Sequence, residues 1–513
     1  MTTLAPTLHA ACQRWSDRPA VTFAGTTRTY AEVGRAVARL AAAYRRLGIG
    51  RGDRVICQLP NSFEHLVAVN AAWAVGAVHA GTDNDLTGPE LAWLCERTEA
   101  GALLFRPHPD AADREPAIEA VRRAHPATRV ITESDLAELL GGSEEVEDWS
   151  PPHGEHETSH LLLTSGTTGR PKAVMETLPA CWAKMQFFAD AFHPGTDDVH
   201  LLYLPMAHVF GLRLALLALL TGGRLVIAER FSPRGSLGLV TDAGVTVLPG
   251  MPAHFTLLLD ALDPDQHRVD SLRWAVSAAS ALPRPLADRI YRELGVDLLY
   301  VYGCSENFTV LTTDRDEIRR GSVGRRVFKG PEGTPPDGRV AVLDPGGTAV
   351  LRPGEVGEIA FGAACPVRYW KDPDAAVDGW YRAGDLGRID ADGCVYVMGR
   401  LKELVNRGGL HVSPTEVETA VRSHPAVTDA AVVGTPHPVL GEAVCACIVA
   451  ADGGPDLAEL RSFLGDVLAR HKLPDELCVV QAIPRTKIGK VDRAALRATV
   501  LGEGSTRERW RPR

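Results

Sequence analysis

The sequence has no basic stripe and no run of cations long enough to suggest a nucleic-acid-binding surface. Of its 513 residues, 55 are Lys or Arg and 64 are Asp or Glu, which gives a formal net charge of -9 and a pI near 6.0. The one short cluster of arginines is the tail at residues 507–513, which we interpret as a solvated end. These features argue against a nucleic acid as a partner.

Signals for export and for membrane insertion are also missing. Residues 1–6 lack the charged and apolar regions of a signal peptide. The most apolar stretch, residues 212–220, contains Arg213 and is too short to span a bilayer. We therefore expect a cytoplasmic protein that has no membrane partner.

The ten cysteines are scattered along the chain, and Cys445 and Cys447 form the only close pair. That pair lies in an alternating run, residues 443–450, where both side chains would project from one face of a strand. A metal or redox role is the alternative, but we interpret the cysteines as buried free thiols.

What the first four hundred residues do contain is helical periodicity alternating with short apolar or β-branched runs. The periodicity predicts helices over residues 8–15, 30–47, 62–77 and 89–98, and strands over residues 54–58, 102–105, 129–131, 224–227, 245–248 and 298–302. Strands separated by helices imply parallel sheets covered on both faces, so the predicted fold class is α/β. The length of the chain predicts two or more domains.

The pattern changes after Arg339. Short strands with glycine turns at residues 340–343, 357–361, 387–390 and 394–398 predict a small β subdomain with antiparallel hairpins. From about Arg400 the chain has strands and helices of its own, enough for a small α+β domain. We therefore predict an N-terminal domain of residues 1–399 and a C-terminal domain of residues 400–513, joined at a charged junction that suits a hinge.

The most informative stretch is a polar loop that follows the apolar run at residues 161–163. Its hydroxyls, glycines and lysine could cradle the phosphates of a nucleotide, because the backbone can approach an anion closely. The spacing is not that of a P-loop, and Pro171 disfavours a helix that starts at the lysine. A Ser/Thr/Gly-rich surface turn is the alternative. The candidate phosphate-binding residues are Thr164, Ser165, Gly166, Thr167, Thr168, Gly169 and Lys172.

A second polar group follows the apolar strand predicted at residues 298–301, where α/β sheets place their ligands. The Tyr302 ring could stack on a base, and the Ser305 hydroxyl could reach a phosphate. The Glu306 carboxylate could hold the Mg2+ that accompanies ATP. A strand end with a capping serine and a solvated glutamate is the alternative.

Two further motifs are weak when taken alone. Asp385 lies between Gly384 and Gly387 and could accept both hydroxyls of a ribose, although Asp beside Gly is also common in plain turns. Residues 484–493 concentrate cations around a glycine turn, for which a solvated face is the alternative.

Together, and in this order, five motifs resemble the adenylate-forming superfamily of acyl-CoA synthetases, peptide-synthetase adenylation domains and beetle luciferases. The motifs are residues 164–172, 302–306, 381–387, 399–402 and 487–490, and the resemblance runs from about Ala20 to Arg493. It implies a large N-terminal domain of two parallel-rich αβαβα-type sheets plus a small β subdomain, followed by a small mobile α+β C-terminal domain.

The resemblance also implies roles in binding ATP. The 164–172 loop would contact the β- and γ-phosphates, and Tyr302 would lie against adenine beside Gly303. Ser305 stands where the family usually has Thr and would contact the α-phosphate. The remaining implied roles are Mg2+ for Glu306, the ribose hydroxyls for Asp385, and a ribose or phosphate oxygen for Arg400.

Lys490 would be the catalytic lysine of the first half-reaction. A carboxylate that attacks the α-phosphorus must overcome repulsion between anions, and a cation that bridges both groups relieves it in the transition state. In a second reaction, the thiol of a pantetheine arm would attack the acyl adenylate after the small domain turns about Lys402. Gly408 and Gly409 would permit close passage of that arm, although Asn406 stands where some members carry a lysine.

The acid pocket is implied by residues 204–211, which resemble the segment that lines it, with His208 as an aromatic gate beside the carboxylate. A structural histidine is the alternative. Val209 stands where relatives that select amino acids or hydroxybenzoates offer a polar side chain, which argues against an α-amino acid. We expect an aromatic or medium-chain carboxylic acid, with other walls from residues 276–282 and 302–310.

The predicted function is ATP-dependent activation of a carboxylic acid, with pyrophosphate release and transfer to the thiol of CoA or of a separate carrier protein. One alternative is transfer to an amine, or activation of a small inorganic acid such as nitrite. The other is a nucleotide-binding regulatory or scaffold protein without turnover, which the intact Lys490, Glu306 and Asp385 argue against.

Overall fold

The computed structural model describes residues 4–106, 114–149, 157–164, 172–306, 309–327, 340–362, 367–372, 380–450, 454–486, 490–502 and 507–510. The helices are α1 Leu4–Arg14, α2 Tyr30–Arg46, α3 Phe63–Ala74, α4 Gly88–Thr98, α5 Arg114–Ala124, α6 Glu133–Leu140, α7 Leu178–Phe192, α8 Val209–Leu220, α9 Pro233–Ala243, α10 Pro252–Ala261, α11 Arg284–Arg289, α12 Arg315–Arg319, α13 Pro414–Val421, α14 Leu457–Leu464 and α15 Arg493–Leu501.

The strands are β1 Pro19–Phe23, β2 Thr26–Thr29, β3 Arg54–Gln58, β4 Val78–Gly81, β5 Ala100–Phe105, β6 Arg129–Thr132, β7 Thr158–Thr164, β8 Lys172–Thr177, β9 Val199–Leu202, β10 Arg224–Ile227, β11 Val247–Gly250, β12 Trp274–Ser277, β13 Asp297–Gly303, β14 Thr309–Thr312, β15 Arg326–Val327, β16 Val340–Leu343, β17 Gly357–Gly362, β18 Trp380–Ile389, β19 Val395–Arg400, β20 Val405–Arg407, β21 Leu410–Val412, β22 Val427–His437, β23 Gly441–Ala450, β24 Glu476–Val479 and β25 Arg507–Arg509.

Two large sheets form the body of the chain up to residue 327. In the described residues, one sheet runs β15-β14-β13-β12-β11-β9-β10-β1-β2 and the other β6-β5-β3-β4-β7-β8. Their central strands are parallel, and antiparallel pairs occur at β1 with β2, at β13 with β14 and at β7 with β8, whereas the edge strand β6 is parallel to β5. Helices cover the sheets and bury a continuous apolar core. The predicted α/β fold with parallel-rich sheets is therefore confirmed.

A buried ion cluster lies under the hairpin of β7 and β8. The Glu176 carboxylate accepts from the Lys184 ammonium at 2.8 Å and from the Arg213 guanidinium at 2.7 Å. The exposed fractions of these side chains are 1% for Glu176, 0% for Lys184 and 9% for Arg213. His160 is the cross-strand partner of Glu176 and contacts His79 through ring nitrogens 3.3 Å apart. The cluster ties β8 to the helices α7 and α8.

Two smaller sheets follow. The antiparallel sheet β16-β17-β18-β19 is the predicted β subdomain, but β18 begins at Trp380 rather than at Gly387, because its pairing with β17 extends to Gly362. The last sheet runs β21-β20-β23-β24-β25, with β22 beside β23. It has apolar clusters of its own, at residues 405–477 and 431–500, and the latter buries Cys445 and Cys447.

The structure also differs from the sequence prediction near the C-terminus. The apolar spacing of residues 457–470 predicts a helix over that whole range, but the helix ends at Leu464, where Gly465 caps it. Arg507 does not lie in a solvated tail, because it belongs to β25, which pairs with β24. The Arg507 guanidinium donates to the buried Glu476 carboxylate at 3.0 Å. Within the described residues, no helix combines the length and the apolar character needed to cross a bilayer.

Candidate active site

Asp385 and Arg400 meet because they are cross-strand partners in β18 and β19. The Arg400 Nε lies 2.7 Å from the Asp385 carboxylate, and the Tyr302 hydroxyl donates to the other oxygen of that carboxylate. Tyr302 comes from the end of β13, so this contact joins the large sheet to the β subdomain. Three residues predicted to hold a nucleoside are therefore in direct contact.

The negative charge of the Asp385 carboxylate is only partly offset by its neighbours. Its side chain is 7% exposed, whereas the guanidinium-bearing side chain of Arg400 is 42% exposed. Burial raises the pKa of Asp385 and outweighs the opposing effects of Arg400 and of the Tyr302 hydrogen bond. A carboxylate in this state can still accept hydrogen bonds from a bound ligand.

Lys490 lies within electrostatic range of the same group. Loss of hydration and repulsion by Arg400 lower the pKa of Lys490, while Asp385, Glu403 and the Cys304 sulfur act in the opposite direction. Taken as a whole residue, Lys490 is exposed to solvent, so the loss of hydration concerns its ammonium end. The structure thus brings the predicted catalytic lysine to the predicted ribose-binding pair.

The chain around Lys490 is held on both sides. On the N-terminal side, the Thr486 hydroxyl accepts a hydrogen bond from the Lys490 backbone N–H at 3.2 Å. The Thr486 backbone N–H donates to the Lys490 carbonyl at 2.7 Å. After it, Asp492 caps α15. The guanidinium of Arg493 then binds Glu403 at 2.8 Å and Glu418 at 2.6 Å. The backbone of Lys490 is therefore held by hydrogen bonds to Thr486, and the chain after it is anchored by the contacts of Asp492 and Arg493.

The predicted phosphate loop is bounded by β7 and β8. Thr164 and Lys172 are cross-strand partners, and the Thr164 hydroxyl donates to the Lys172 carbonyl at 3.4 Å. Lys172 begins a strand, in agreement with the expectation that Pro171 disfavours a helix there. The other predicted loop residues, Ser165, Gly166, Thr167, Thr168 and Gly169, lie outside the described residues.

Glu306 lies just beyond β13 and contacts a residue that sequence reasoning missed. The Tyr369 hydroxyl donates to Glu306 Oε1 at 3.4 Å, and the Lys172 Nζ lies 5.1 Å from the centroid of the Tyr369 ring. The described residues contain no group of three or more His, Cys, Asp or Glu side chains arranged for a metal. A single carboxylate still fits Mg2+, because this ion is usually held by one or two carboxylates together with substrate phosphates.

His208 lies at the N-terminus of α8, and its Nε2 is 3.0 Å from Asp83 Oδ1. The angles of this contact are not those of a hydrogen bond. The segment before His208 is fixed by Asn61, whose amide bonds the Leu204 carbonyl and the Met206 N–H. The contacts that we find among described residues do not join His208 to the Asp385 group.

The two glycines predicted to admit a thiol arm form the tight turn between β20 and β21. Gly408 and Gly409 have φ values of 63° and 86°, a region that favours glycine in two-residue hairpins. The Asn406 side chain accepts from the Gly409 N–H at 3.0 Å, which stabilises the turn. Lys402 is exposed in the 3-10 turn Leu401–Glu403 that follows Arg400.

Comparison with known proteins agrees with this geometry. The family of AMP-binding enzymes matches residues 8–368, and the C-terminal domain of AMP-binding enzymes matches residues 416–490. The chain therefore belongs to the AMP-binding enzyme family, and the predicted membership of the adenylate-forming superfamily is confirmed.

Individual relatives match over nearly the whole chain. Triostin synthetase I of Streptomyces triostinicus is 32% identical, over 96% of this chain and 94% of its own length. The 2,3-dihydroxybenzoate-AMP ligase of Bacillus subtilis is 30% identical, over 95% and 92%.

Solved structures also match over nearly the whole chain. ATP-bound MatB from Rhodopseudomonas palustris has a TM-score of 0.84 at 28% identity, over 97% of this chain and 99% of that one. O-succinylbenzoate coenzyme A synthetase from Bacillus subtilis, in complex with ATP and a magnesium ion, has a TM-score of 0.79 at 25% identity, over 96% and 98%.

Proposed function

We propose that this protein is an AMP-forming acid-thiol ligase that joins a carboxylic acid to the α-phosphate of ATP, releases pyrophosphate and then passes the acyl group to a thiol. The observation that carries this proposal is the convergence of Lys490 on the contact between Asp385, Arg400 and Tyr302. A cation beside a nucleoside-binding carboxylate is the arrangement that the first half-reaction requires.

In that step Asp385 accepts the ribose hydroxyls, and Arg400 binds a ribose or phosphate oxygen. Ser305 binds the α-phosphate and the 164–172 loop binds the terminal phosphates. Glu306 would hold Mg2+ together with the phosphates, and the bound ion would supply positive charge that offsets theirs. Lys490 bridges the attacking carboxylate and the α-phosphate, so that two anions can approach each other.

For the thiol step we propose that the chain divides near residue 400 and that the C-terminal part turns about Lys402. The 3-10 turn Leu401–Glu403, in which Lys402 is exposed, and the separate apolar clusters that follow it support this boundary. The rotation would exchange Lys490 for the Gly408–Gly409 turn at the large sheets. The thiol belongs to CoA or to a separate carrier protein.

The acid that we propose is aromatic or medium-chain, with His208 beside its carboxylate. Val209 begins α8 without a polar group that could pair with an α-ammonium. The printed name of one relative, 2,3-dihydroxybenzoate-AMP ligase, supports an aromatic acid.

A panel of acids tests the proposal. Pyrophosphate release would be measured with aromatic, medium-chain and amino acids and with nitrite, and the products with CoA, carrier protein or an amine would be identified by mass spectrometry. We expect acid-dependent pyrophosphate release and a thioester. An amide product would support the amine alternative, and exchange of pyrophosphate into ATP that stays at background across the panel would support a protein without turnover.

A further inference from the structure

Residues 367–372 form an added edge along the strand β8. The Met175 N–H donates to the Arg368 carbonyl at 2.9 Å, and the Trp370 N–H donates to the Ala173 carbonyl at 2.9 Å. Between these two bonds, Tyr369 is the antiparallel partner of Val174. The backbone of Tyr369 is therefore fixed to β8, the strand that Lys172 begins.

The Tyr369 side chain contacts the two groups proposed to handle the triphosphate and its metal. Its hydroxyl donates to Glu306 at 3.4 Å, and its ring lies 5.1 Å from the Lys172 ammonium. A cation over an aromatic face is attracted by the negative charge of that face. The hydroxyl and the ring thus serve different partners.

The Tyr369 hydroxyl is also held from the other side. The Tyr381 hydroxyl forms a hydrogen bond with that of Tyr369. Tyr381 lies in β18, four residues before Asp385. Burial raises the pKa of both Tyr369 and Tyr381, so both phenols are neutral donors at neutral pH. A hydrogen-bonded chain therefore runs from the strand of the ribose-binding carboxylate to Glu306.

We infer that Tyr369 is a positioning residue that holds Glu306 and Lys172 at a fixed separation, its hydroxyl orienting the carboxylate for Mg2+ and its ring orienting the lysine for the terminal phosphates. This inference rests on the proposed function, because it concerns the same triphosphate site. It assigns two separable effects to one side chain, and these effects can be measured by binding alone.

The test compares Tyr369→Phe, which removes the hydroxyl and keeps the ring, with Tyr369→Leu, which removes both. ATP binding would be measured by calorimetry in EDTA and across a Mg2+ titration. Tyr369→Phe should raise the Mg2+ concentration that gives half of the metal-dependent increase in affinity by about fivefold, as expected for one hydrogen bond. Its affinity for ATP in EDTA should not change.

Tyr369→Leu should show the same Mg2+ effect and should also weaken ATP binding in EDTA by about two- to fivefold, the contribution of an exposed cation–π contact. Tyr381→Phe should reproduce a smaller part of the Mg2+ effect. The matched control is Tyr396→Phe, which removes a hydroxyl bonded to Asp390 at 3.0 Å in the same β subdomain. It should leave both titrations unchanged.

The inference is overturned if Tyr369→Phe has the Mg2+ dependence of the unmodified protein, or if the Phe and Leu variants lose the same affinity for ATP in EDTA. Urea unfolding of each variant separates these outcomes from loss of fold. A protein that shows the two expected binding effects but activates no acid would contradict the proposed function and leave this inference standing. An active enzyme whose variants lack the two binding effects would support the proposed function and overturn this inference.

Discussion

Asp385 and Glu176 are both buried carboxylates beside cations, yet their pKa values move in opposite directions. Burial raises the pKa of both, but at Glu176 the adjacent Lys184 and Arg213 outweigh it and lower the pKa to about 2. At Asp385 the partly exposed Arg400 guanidinium, the Tyr302 hydrogen bond and the weaker attraction of Lys490 do not outweigh burial, and the pKa rises. The number and burial of the cations account for the difference.

The difference separates a structural carboxylate from one prepared for a ligand. Glu176 lies between two buried cations and connects three elements of the fold. The charge of Asp385 is offset less completely, and we propose that the hydroxyls of a ligand supply the missing hydrogen bonds. Removing the charge should therefore damage stability at Glu176 and ligand binding at Asp385.

The largest effect is expected from Glu176→Gln. This change leaves the Lys184 and Arg213 charges buried without their carboxylate, which should lower the free energy of unfolding by about 3–5 kcal/mol. Urea unfolding would measure the loss. A loss below about 1 kcal/mol, typical of surface pairs, would show that the cluster is not structural.

The pH dependence of the same variant is a second check. The pKa of Glu176 is about 2 in the folded protein against an ordinary value of 4.5. Its contribution to stability is therefore fully present above pH 4.5 and is lost as the pH falls toward 2. Between pH 4.5 and pH 2, the free energy of unfolding should therefore fall less for Glu176→Gln than for the unmodified protein.

Lys490→Ala should affect chemistry rather than stability. Removal of the bridging cation should slow adenylate formation by about 10²- to 10³-fold, the range seen when one group that stabilises transition-state charge is deleted. Transfer of the acyl group from a supplied acyl adenylate should be largely spared, because the lysine serves only one orientation of the C-terminal part. Single-turnover measurements of the two steps would test this, and equal losses would contradict the assigned role.

Asp385→Asn should give the smallest of these effects. Loss of charged hydrogen bonds to ribose should weaken ATP binding by about 10- to 100-fold, which corresponds to about 1.5–3 kcal/mol. The free energy of unfolding should stay the same or increase, because a costly buried charge is removed. Calorimetry and urea unfolding would be compared with those of Glu176→Gln, and an unstable variant with normal ATP affinity would reverse the comparison.

Local sequence patterns predicted much of the fold but little of the contacts that define the site. The strands at residues 54–58 and 224–227 were predicted to the residue, since each is a short apolar run bounded by turns. The pairing of Asp385 with Arg400 depends on the register of β18 and β19, which shifts between Leu386 and Gly387. A shift of this kind has no sequence signal.

Tyr369 and Arg507 show the same limit. A single tyrosine in a short segment has no periodicity or spacing that marks it as part of a site, and its contacts arise from an added strand edge. Arg507 looked like part of a solvated tail because the buried partner that holds it, Glu476, lies thirty-one residues away in the sequence. In both cases the determining partner is distant along the chain.

Arg400 is the last residue of β19, and the 3-10 turn that contains Lys402 begins at the next residue. If the C-terminal part rotates about that turn, Arg400 stays on the stationary strand and continues to bind the nucleoside. Lys490, the cation of the first step, moves away. The acyl adenylate would then stay bound throughout the rotation, and the enzyme would not need to release and rebind a hydrolysable mixed anhydride between its two half-reactions.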